Sequence, residues 1–324
     1  MLGSCLAAGA GASLGIGLLY DKRLPRQRKP RHSRVAVLKV DSYSKRVVEV
    51  MMRGLKLFDL DMRGKSVLLK PNLVDVVSGK EVTTHPMVVA AAAECFLRLG
   101  AKQVLVGEGP GHQRDTELVL HESGMNQALM QTGIGFVDLN RDELMKVRLS
   151  SNLTGLGHLW LPRSVLEADV IVSMPKVKTH HWAGVSLSMK NMFGIVPGMK
   201  YGWPKNLLHW RGIHESIVDI CSTVSVNLVI ADGVLAMEGN GPLHGDTRKL
   251  GVLVIGEDPV ATDATIVRLM GLLPERIRHL NWAGQFLGNL EDDKIVHLGE
   301  RPTQPAAPFR MAFATPFTSG CSLC

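Results

Sequence analysis

The densest concentration of chemically capable side chains lies between Met174 and Gly198. Lysines and histidines alternate there with apolar residues, and almost no carboxylate accompanies them. Grouped cations attract an anionic ligand, while imidazoles transfer protons or bind metal ions at neutral pH. The interleaved Trp182 and Phe193 argue against the alternative, a solvated basic loop. We expect His180 and Lys190 to be catalytic, and we expect a further set to bind the ligand: Lys176, Lys178, His181, Asn191 and, further along the chain, His209.

A glycine-rich loop, Gly107–Thr116, follows an apolar run that reads as a strand. Its glycines let backbone N–H groups approach an anion, so we expect Gly109 and Gly111 to contact the ligand. His112 at the loop tip is a catalytic candidate and Arg114 a ligand-binding one. The alternative is a plain turn between strand and helix, because Pro110 breaks the dinucleotide-binding pattern.

A third cluster spans Asp232–Gly245 and again begins where a predicted strand ends. We expect Asp232 and Glu238 to orient the catalytic groups and Asn240 to bind the ligand, although Asp-Gly and Asn-Gly are also ordinary turn sequences. The fourth cluster contributes Lys70 and Asn72 as ligand-binding residues.

Four positions near these clusters have structural readings. Thr84 and His85 precede the helical pattern that begins at Pro86 and are expected to cap it, and Asp258 is expected to cap the helical pattern that begins at Pro259. Asp263 lies in a predicted helix and needs a polar partner if it is buried.

Metal binding is predicted at two places. His180 and His209 are candidate ligands within the basic cluster, and Cys321 and Cys324 form a CxxC pair at the C-terminus. One CxxC pair supplies at most two ligands to zinc or to an iron–sulfur cluster. The alternative for the pair is a tail with two thiols. A metal ion or a metal-containing cofactor is therefore among the expected ligands.

The elements that must position these residues alternate between apolar strands and helical patterns. Predicted strands cover residues 35–40, 66–70, 103–106, 135–139, 168–173, 226–231 and 250–255. Predicted helices cover residues 44–58, 86–99 and 259–270. Continuous apolar strands separated by helices indicate an α/β fold with largely parallel sheets covered by helices. We expect two lobes with the ligand in a crevice between them, because ligands bind at the carboxyl ends of such strands.

The charge composition narrows the classes of partner that the protein is expected to bind. The net charge of +7 suggests a nucleic acid or an anionic membrane at first, but residues 21–34 hold seven basic side chains and one acid. The rest of the chain is close to neutral and gives no support for nucleic-acid binding. An anionic small molecule is the expected partner of the body.

The N-terminal region predicts a membrane or export role. We divide the chain into an apolar leader (1–20), a basic linker (21–34), an α/β body (35–300) and a tail with the CxxC pair (301–324). The leader has the texture of a twin-arginine export signal or an anchor, and residues 2–34 are suited to membrane contact. The alternative is a cytoplasmic protein.

These blocks together resemble an uncharacterised family, the domain-of-unknown-function family 362. The resemblance covers residues 35 to about 275 and rests on KPNLV, GEGPGHQRDT, MPKVKTH, AGVSLSMKNMFGIVPG, AMEGNGP and DPVATDA. It implies a shared fold and site. Many members carry a ferredoxin-like cluster segment, which is absent from the sequence in hand.

A more distant resemblance links His180-x-x-Ala183-Gly184-x-Ser186-x-x-x-Lys190 to the nickel-pincer lactate racemases. It implies that His180 lies in an active site and that Lys190 is joined to a nickel–pyridinium cofactor. The turn Gly111-His112-Gln113-Arg114 resembles the catalytic-histidine turn of that family. The racemases have a Gly-Gly pair before the lysine, where this chain has Leu187-Ser188-Met189.

Three functions are consistent with these features. The first is an enzyme of isomerase or oxidoreductase type, with an anionic ligand or metal-containing cofactor between its lobes. The second is an exported protein that binds an anion or a metal without catalysis. The third is an iron–sulfur or electron-transfer protein that uses Cys321 and Cys324.

Overall fold

A computed structural model describes residues 24, 27–111, 114–300 and 305–312. The predictions for the leader, for His112 and for Cys321 and Cys324 lie outside these described residues. Within the described ranges, no helix has the length and apolar character needed to cross a bilayer.

Strands and helices alternate along the body. The strands are β1 Ser33–Lys39, β2 Ser66–Pro71, β3 Gln103–Glu108, β4 Gly135–Asp138, β5 Leu144–Arg148, β6 His158–Pro162, β7 Val170–Met174, β8 Lys176–His180, β9 Gly184–Ser186, β10 Leu228–Glu238, β11 Asp246–Gly256 and β12 Ile295–Gly299. The helices are α1 Arg46–Leu55, α2 Pro86–Arg98, α3 Thr116–Glu122, α4 Met125–Thr132, α5 Arg163–Glu167, α6 Ser188–Asn191, α7 Gly198–Tyr201, α8 Asn206–Trp210, α9 Ile213–Thr223, α10 Pro259–Leu269 and α11 Arg278–Phe286. Short 3₁₀ helices cover Met192–Ile195, Pro274–Arg276 and Asp292–Lys294.

One mixed sheet organises the described part of the chain. Its strand order is β12-β1-β11-β10-β7-β2-β3-β4, with β8 and β9 attached to β10, and β5 and β6 form a separate hairpin. Along the main path only β11 runs against its neighbours. The predicted α/β class with largely parallel strands is confirmed. The division of the body into two lobes stays a prediction.

Alternate side chains of the strands fill two apolar clusters, because successive residues of a strand point to opposite faces. In β2, Leu68 belongs to the cluster that contains α9, α10 and α11 residues. Val67 and Leu69 belong to the cluster built from α1, α2 and α4. Both faces of the sheet are therefore covered, which explains why the strands are apolar throughout rather than alternating.

Helix capping agrees with the sequence at the start of two helices. The His85 side chain accepts a hydrogen bond from the Met87 N–H at the start of α2. Asp258 accepts hydrogen bonds from Val260 and Ala261 at the start of α10. Both caps were expected from the Pro that follows each residue.

The segment after β7 is more ordered than predicted. The sequence of residues 174–212 reads as an irregular connection, whereas the structure builds β8, β9 and three short helices there. β10 passes an irregularity between Gly233 and Leu235, leaves β7 and continues beside β8. This extension carries the basic cluster over the carboxyl ends of β2, β3 and β7.

Candidate functional site

A cavity of about 520 Å³ opens where β2, β3 and β7 end. Most of the predicted catalytic and ligand-binding residues line it, namely Asn72, Gly109, Gly111, Lys176, His180, His181, Lys190, Asn191, His209 and Asn240. Residues from four separate predictions therefore meet in one place, as the ends of parallel strands require.

Lys190 is a partly buried cation with no hydrogen bond or ion pair to any described residue. Its Nζ lies 4.3 Å from the centroid of the Phe193 ring. Burial, reinforced by the charges of Lys205 and Lys70, lowers the pKa of Lys190 to about 7. A lysine in this state holds a proton or releases it near neutral pH, which suits a base, a nucleophile or a pH-dependent anion contact.

The short helix that carries Lys190 is held by Asp263. One carboxylate oxygen accepts a hydrogen bond from the Ser188 N–H at 2.8 Å, and the other accepts one from the Met189 N–H at 3.0 Å. The expected partner of Asp263 is thus the start of α6. Burial raises the pKa of Asp263 to about 7.

His180 is buried, and its tautomer follows from its contacts. Its Nδ1 accepts hydrogen bonds from the Trp182 and Ala183 N–H groups at 3.0 and 3.1 Å. Burial, with the charge of Lys190 second, holds the pKa of His180 well below its usual range. The ring is neutral at pH 7 and carries its proton on Nε2, which makes it a hydrogen-bond donor.

His181 and His209 have the opposite tautomer. Each Nδ1 donates to a backbone carbonyl, of Gly241 at 2.8 Å and of Lys205 at 3.2 Å respectively. In the neutral form of such a ring, Nε2 is the acceptor nitrogen. The described residues include no group of three or more His, Cys, Asp or Glu arranged to hold a metal ion. The metal roles of His180 and His209 stay predictions.

Lys70 and Glu108 form a buried ion pair at the base of the cavity. Lys70 also donates to the Asn191 side-chain oxygen at 3.1 Å, and the Asn191 amide donates back to the Lys70 carbonyl at 2.9 Å. Burial lowers the pKa of Lys70 although Glu108 opposes the shift. Lys70 itself does not line the cavity. Glu108 does, and it was missed because its buried pairing with the distant Lys70 leaves no local pattern in the glycine-rich loop.

Lys205 is a second lining residue that was not predicted as a site residue. Its Nζ donates to the carbonyls of Gly109, Phe193 and Gly194 at 3.1, 3.4 and 3.2 Å. Burial lowers its pKa to about 8. Its backbone has a φ of 70°, a left-handed conformation that is costly for a residue with a Cβ. Lys205 thus joins the glycine-rich loop to the Lys190 region.

Lys176 is the cavity residue that carries most ionic contacts. Its Nζ lies 2.7 Å from a Glu81 oxygen and 3.2 Å from an Asp232 oxygen, and it donates to the Tyr43 hydroxyl at 2.7 Å. Asp232 lies beneath the cavity lining and is fully buried. It holds Lys176 rather than facing the ligand space.

Three further predicted residues lie outside the lining. Lys178 is buried and donates to the Val82 carbonyl at 2.6 Å. Arg114 pairs with Asp75, and Glu238 pairs with two arginines, Arg248 and Arg310. The geometry does not bring these three into contact with the cavity.

Asn72 supplies an unsatisfied acceptor. Its side-chain oxygen is buried and has no hydrogen-bond partner among the described residues, while its backbone N–H bonds Thr84. A buried amide oxygen without a partner is costly. A ligand N–H or O–H group in the cavity would satisfy it.

Comparison with known proteins places these residues in a family context. The family model described as "Domain of unknown function (DUF362)" matches residues 67–268. A thylakoid-associated protein of Synechocystis sp. is 34% identical over 219 residues, which are 66% of this chain and 65% of that protein.

Solved structures show weaker similarity. The lactate racemase apoprotein from Thermoanaerobacterium thermosaccharolyticum matches with a TM-score of 0.43 and 15% identity, over 68% of this chain and 55% of that one. A Thermotoga maritima protein matches with a TM-score of 0.36 and 16% identity, over 62% and 52% of the two chains. The resemblance to racemases expected from the sequence is therefore found, and no activity is inferred from it.

Proposed function

Because the chain belongs to the DUF362 family, we propose that its shared site is that of an enzyme which binds a small anionic substrate in the cavity around Lys190. The observation that carries this proposal is the state of Lys190. It is a partly buried lysine with a pKa of about 7, and no described carboxylate pairs with it. A structural lysine in such a place would be expected to have a partner, as Lys70 and Lys176 do.

In this proposal, Lys190 and the side chains around it contact different groups of the substrate. Protonated Lys190 and the Nε2–H of His180 donate to the anionic group, while the Asn72 oxygen accepts from a hydroxyl or amine of the same molecule. His181 lies in the same lining, and because its Nδ1 donates to the Gly241 carbonyl, Nε2 is the acceptor nitrogen of its neutral form. A donor imidazole and an acceptor imidazole in one cavity form an acid/base pair.

The reaction we propose is an isomerisation at the carbon next to the anionic group. The acceptor His181 takes the proton from that carbon, the electron pair of the broken C–H bond moves onto the anionic group, and the His180 Nε2–H group supports the charge that develops there. The proton then returns to the substrate, so that no oxidant or reductant is needed. Glu108 and Lys70 hold the floor through Asn191, which follows Lys190 in the chain.

The resemblance to racemases implies a nickel–pyridinium cofactor, and the described residues match the needs of that cofactor only in part. Lys190 offers an amine for attachment, and the Nδ1 of His209 donates to a carbonyl, an arrangement seen in metal-ligating histidines. His180 has the reverse arrangement, because its Nδ1 accepts two backbone hydrogen bonds. The described residues include no group of three His, Cys, Asp or Glu that could hold a metal ion by themselves. The cofactor stays a prediction from the resemblance, and the proposed steps use the protein's own side chains.

The proposal is tested with the full chain purified from its native host. Mass spectrometry of the intact protein, metal analysis and turnover of a panel of hydroxy and keto acids are measured for the wild type and for Lys190→Met, His180→Gln and His181→Gln. Loss of turnover in the Lys190 and His180 variants, with stability retained, supports the proposal. Turnover that survives both substitutions overturns it.

The rival function is an anion-binding protein without catalysis. The same cations and glycines would serve it, and it predicts thermal stabilisation by small acids without any conversion of them. Binding with no turnover across the acid panel would favour this rival.

We also propose association with a membrane. The relative from Synechocystis is named as thylakoid-associated, and residues 21–34 are strongly basic. Export and anchoring through residues 1–34 are the two routes. Fractionation of the native host separates them, because an exported chain loses its leader and an anchored chain keeps it. Recovery of the intact chain in the cytoplasmic fraction alone would overturn both.

A further inference from the structure

The surface beside the cavity carries two large apolar side chains in water. Trp210 is 80% exposed at the end of α8, and Met199 is 69% exposed on α7. Both belong to the segment that walls the cavity, since His209 and Lys205 line it from the same stretch. The exposed Trp210 therefore lies next to the site.

The charges around these side chains have one sign. Lys200 follows Met199 and Arg211 follows Trp210, and both basic residues are exposed. Neither forms an ion pair with any described carboxylate, whereas Arg34, Arg163 and Arg310 elsewhere on the surface do. From residue 170 to residue 214 the chain contains no Asp or Glu. The patch therefore combines apolar bulk with uncompensated positive charge.

We propose that this face, defined by Met199, Lys200, Trp210 and Arg211, docks on an anionic lipid surface. Tryptophan is favoured at the boundary between headgroups and acyl chains, and Lys and Arg are attracted to anionic headgroups. A second copy of the chain is a poorer occupant, because the same unpaired cations would face each other. Docking of this face places the cavity wall formed by α8 next to the bilayer.

The test uses the fluorescence of Trp210 in the full chain. Residues 1–34 are basic and apolar themselves, so vesicle binding alone does not report on this face. Vesicles of phosphatidylglycerol and phosphatidylcholine are prepared with brominated acyl chains, which quench only tryptophans that enter the bilayer. We expect quenching in the wild type and loss of at least half of its amplitude in Trp210→Phe.

Matched variants on the other face of the sheet serve as controls. Met130 on α4 is 74% exposed, so Met130→Trp adds an exposed tryptophan that should escape quenching. Lys200→Gln with Arg211→Gln should raise the lipid concentration needed for half-maximal quenching of Trp210 about 25-fold, since each basic side chain near an anionic bilayer contributes roughly fivefold to the affinity. Arg53→Gln with Lys56→Gln, at the end of α1 and directly after it, should leave the quenching of Trp210 unchanged.

Three results would overturn the proposal. The first is equal quenching in the wild type and Trp210→Phe. The second is equal quenching with pure phosphatidylcholine vesicles. The third is self-association that depends on Trp210 while vesicles leave its emission unchanged, which would assign the face to a protein contact.

Discussion

Asp263 accepts hydrogen bonds from the backbone N–H groups of Ser188 and Met189, which are the two residues directly before Lys190 on the same short helix. A carboxyl group and an amine, each with a pKa of about 7, are thereby linked through one turn of backbone. The carboxylate binds the N–H groups of α6 and the amine faces the cavity. Ionisation of Asp263 at neutral pH therefore acts on the element that positions Lys190.

The first prediction concerns the stability contributed by Asp263. Its folded pKa lies above its unfolded value, so the folded state binds the extra proton between about pH 4 and pH 7. Stability from this group is present at low pH and is lost as pH rises through 7, with a slope of at most about 1.4 kcal/mol per pH unit. We expect Asp263→Asn to remove this fall in unfolding free energy with rising pH. Urea unfolding at pH 5 and pH 8 measures it.

An exposed carboxylate supplies the control for this measurement. Asp61 is exposed and its pKa is lowered by Arg63, so Asp61→Asn should leave the slope between pH 5 and pH 8 unchanged. A slope that persists in Asp263→Asn would show that other groups cause it.

The second prediction concerns anion binding and Lys190. Burial lowers the pKa of Lys190 to about 7, so its positive charge is present below pH 7 and is lost as pH rises. We expect oxalate to raise the melting temperature more at pH 6 than at pH 8.5. Lys190→Met should lose most of this stabilisation at both values.

Substitution of Lys190 by arginine separates the effect of the positive charge on oxalate binding from the effect of side-chain shape. Lys190→Arg keeps its charge at pH 8.5, so it should retain oxalate stabilisation there while the wild type loses it. If the wild type binds oxalate equally at both pH values, Lys190 does not contribute its charge to the anion site.

Much of the site was predictable because its residues follow strand ends. Asn72, Gly109, Lys176 and Asn240 each lie within two residues of the carboxyl end of a strand, and all four line the cavity. Parallel topology brings such positions together whatever their separation in sequence.

The partners of the predicted residues were not predictable. Whether Lys176 meets a ligand or a carboxylate depends on Asp232 and Glu81, which reach it across the fold. Glu108 and Lys205 were missed for the same reason, since burial and long-range pairing leave no local pattern. The strands β8 and β9 were missed because Gly and Lys are poor strand formers, and their pairing with β10 outweighs that preference.

The third prediction concerns Gly194, which packs against the Lys70–Glu108 pair. A Cβ at this position would overlap the Glu108 oxygen and the Lys70 nitrogen. We expect Gly194→Ala to destabilise the fold by about 3 kcal/mol, as breaking a buried ion pair does. Gly111→Ala is the control, because its Cβ would meet no atom closer than 3.9 Å. Equal unfolding free energies for the two variants would contradict the predicted overlap.

The fourth prediction concerns Lys205, which joins two walls of the cavity. Its ammonium donates to three carbonyls. The Phe193 carbonyl also accepts from the Val196 N–H, so removal of the ammonium leaves the carbonyls of Gly109 and Gly194 without this donor. We expect Lys205→Met to lower the unfolding free energy by about 2–4 kcal/mol, because each unsatisfied buried carbonyl costs about 1 kcal/mol or more.

Lys205→Gly loses the same hydrogen bonds but relieves the left-handed backbone at φ 70°, so it should be about 1 kcal/mol more stable than the methionine variant. Lys200→Met removes an exposed lysine nearby and should change stability by less than about 0.5 kcal/mol. Urea unfolding of the three variants checks this order, and a methionine variant as stable as the wild type would mean that water replaces the ammonium without cost.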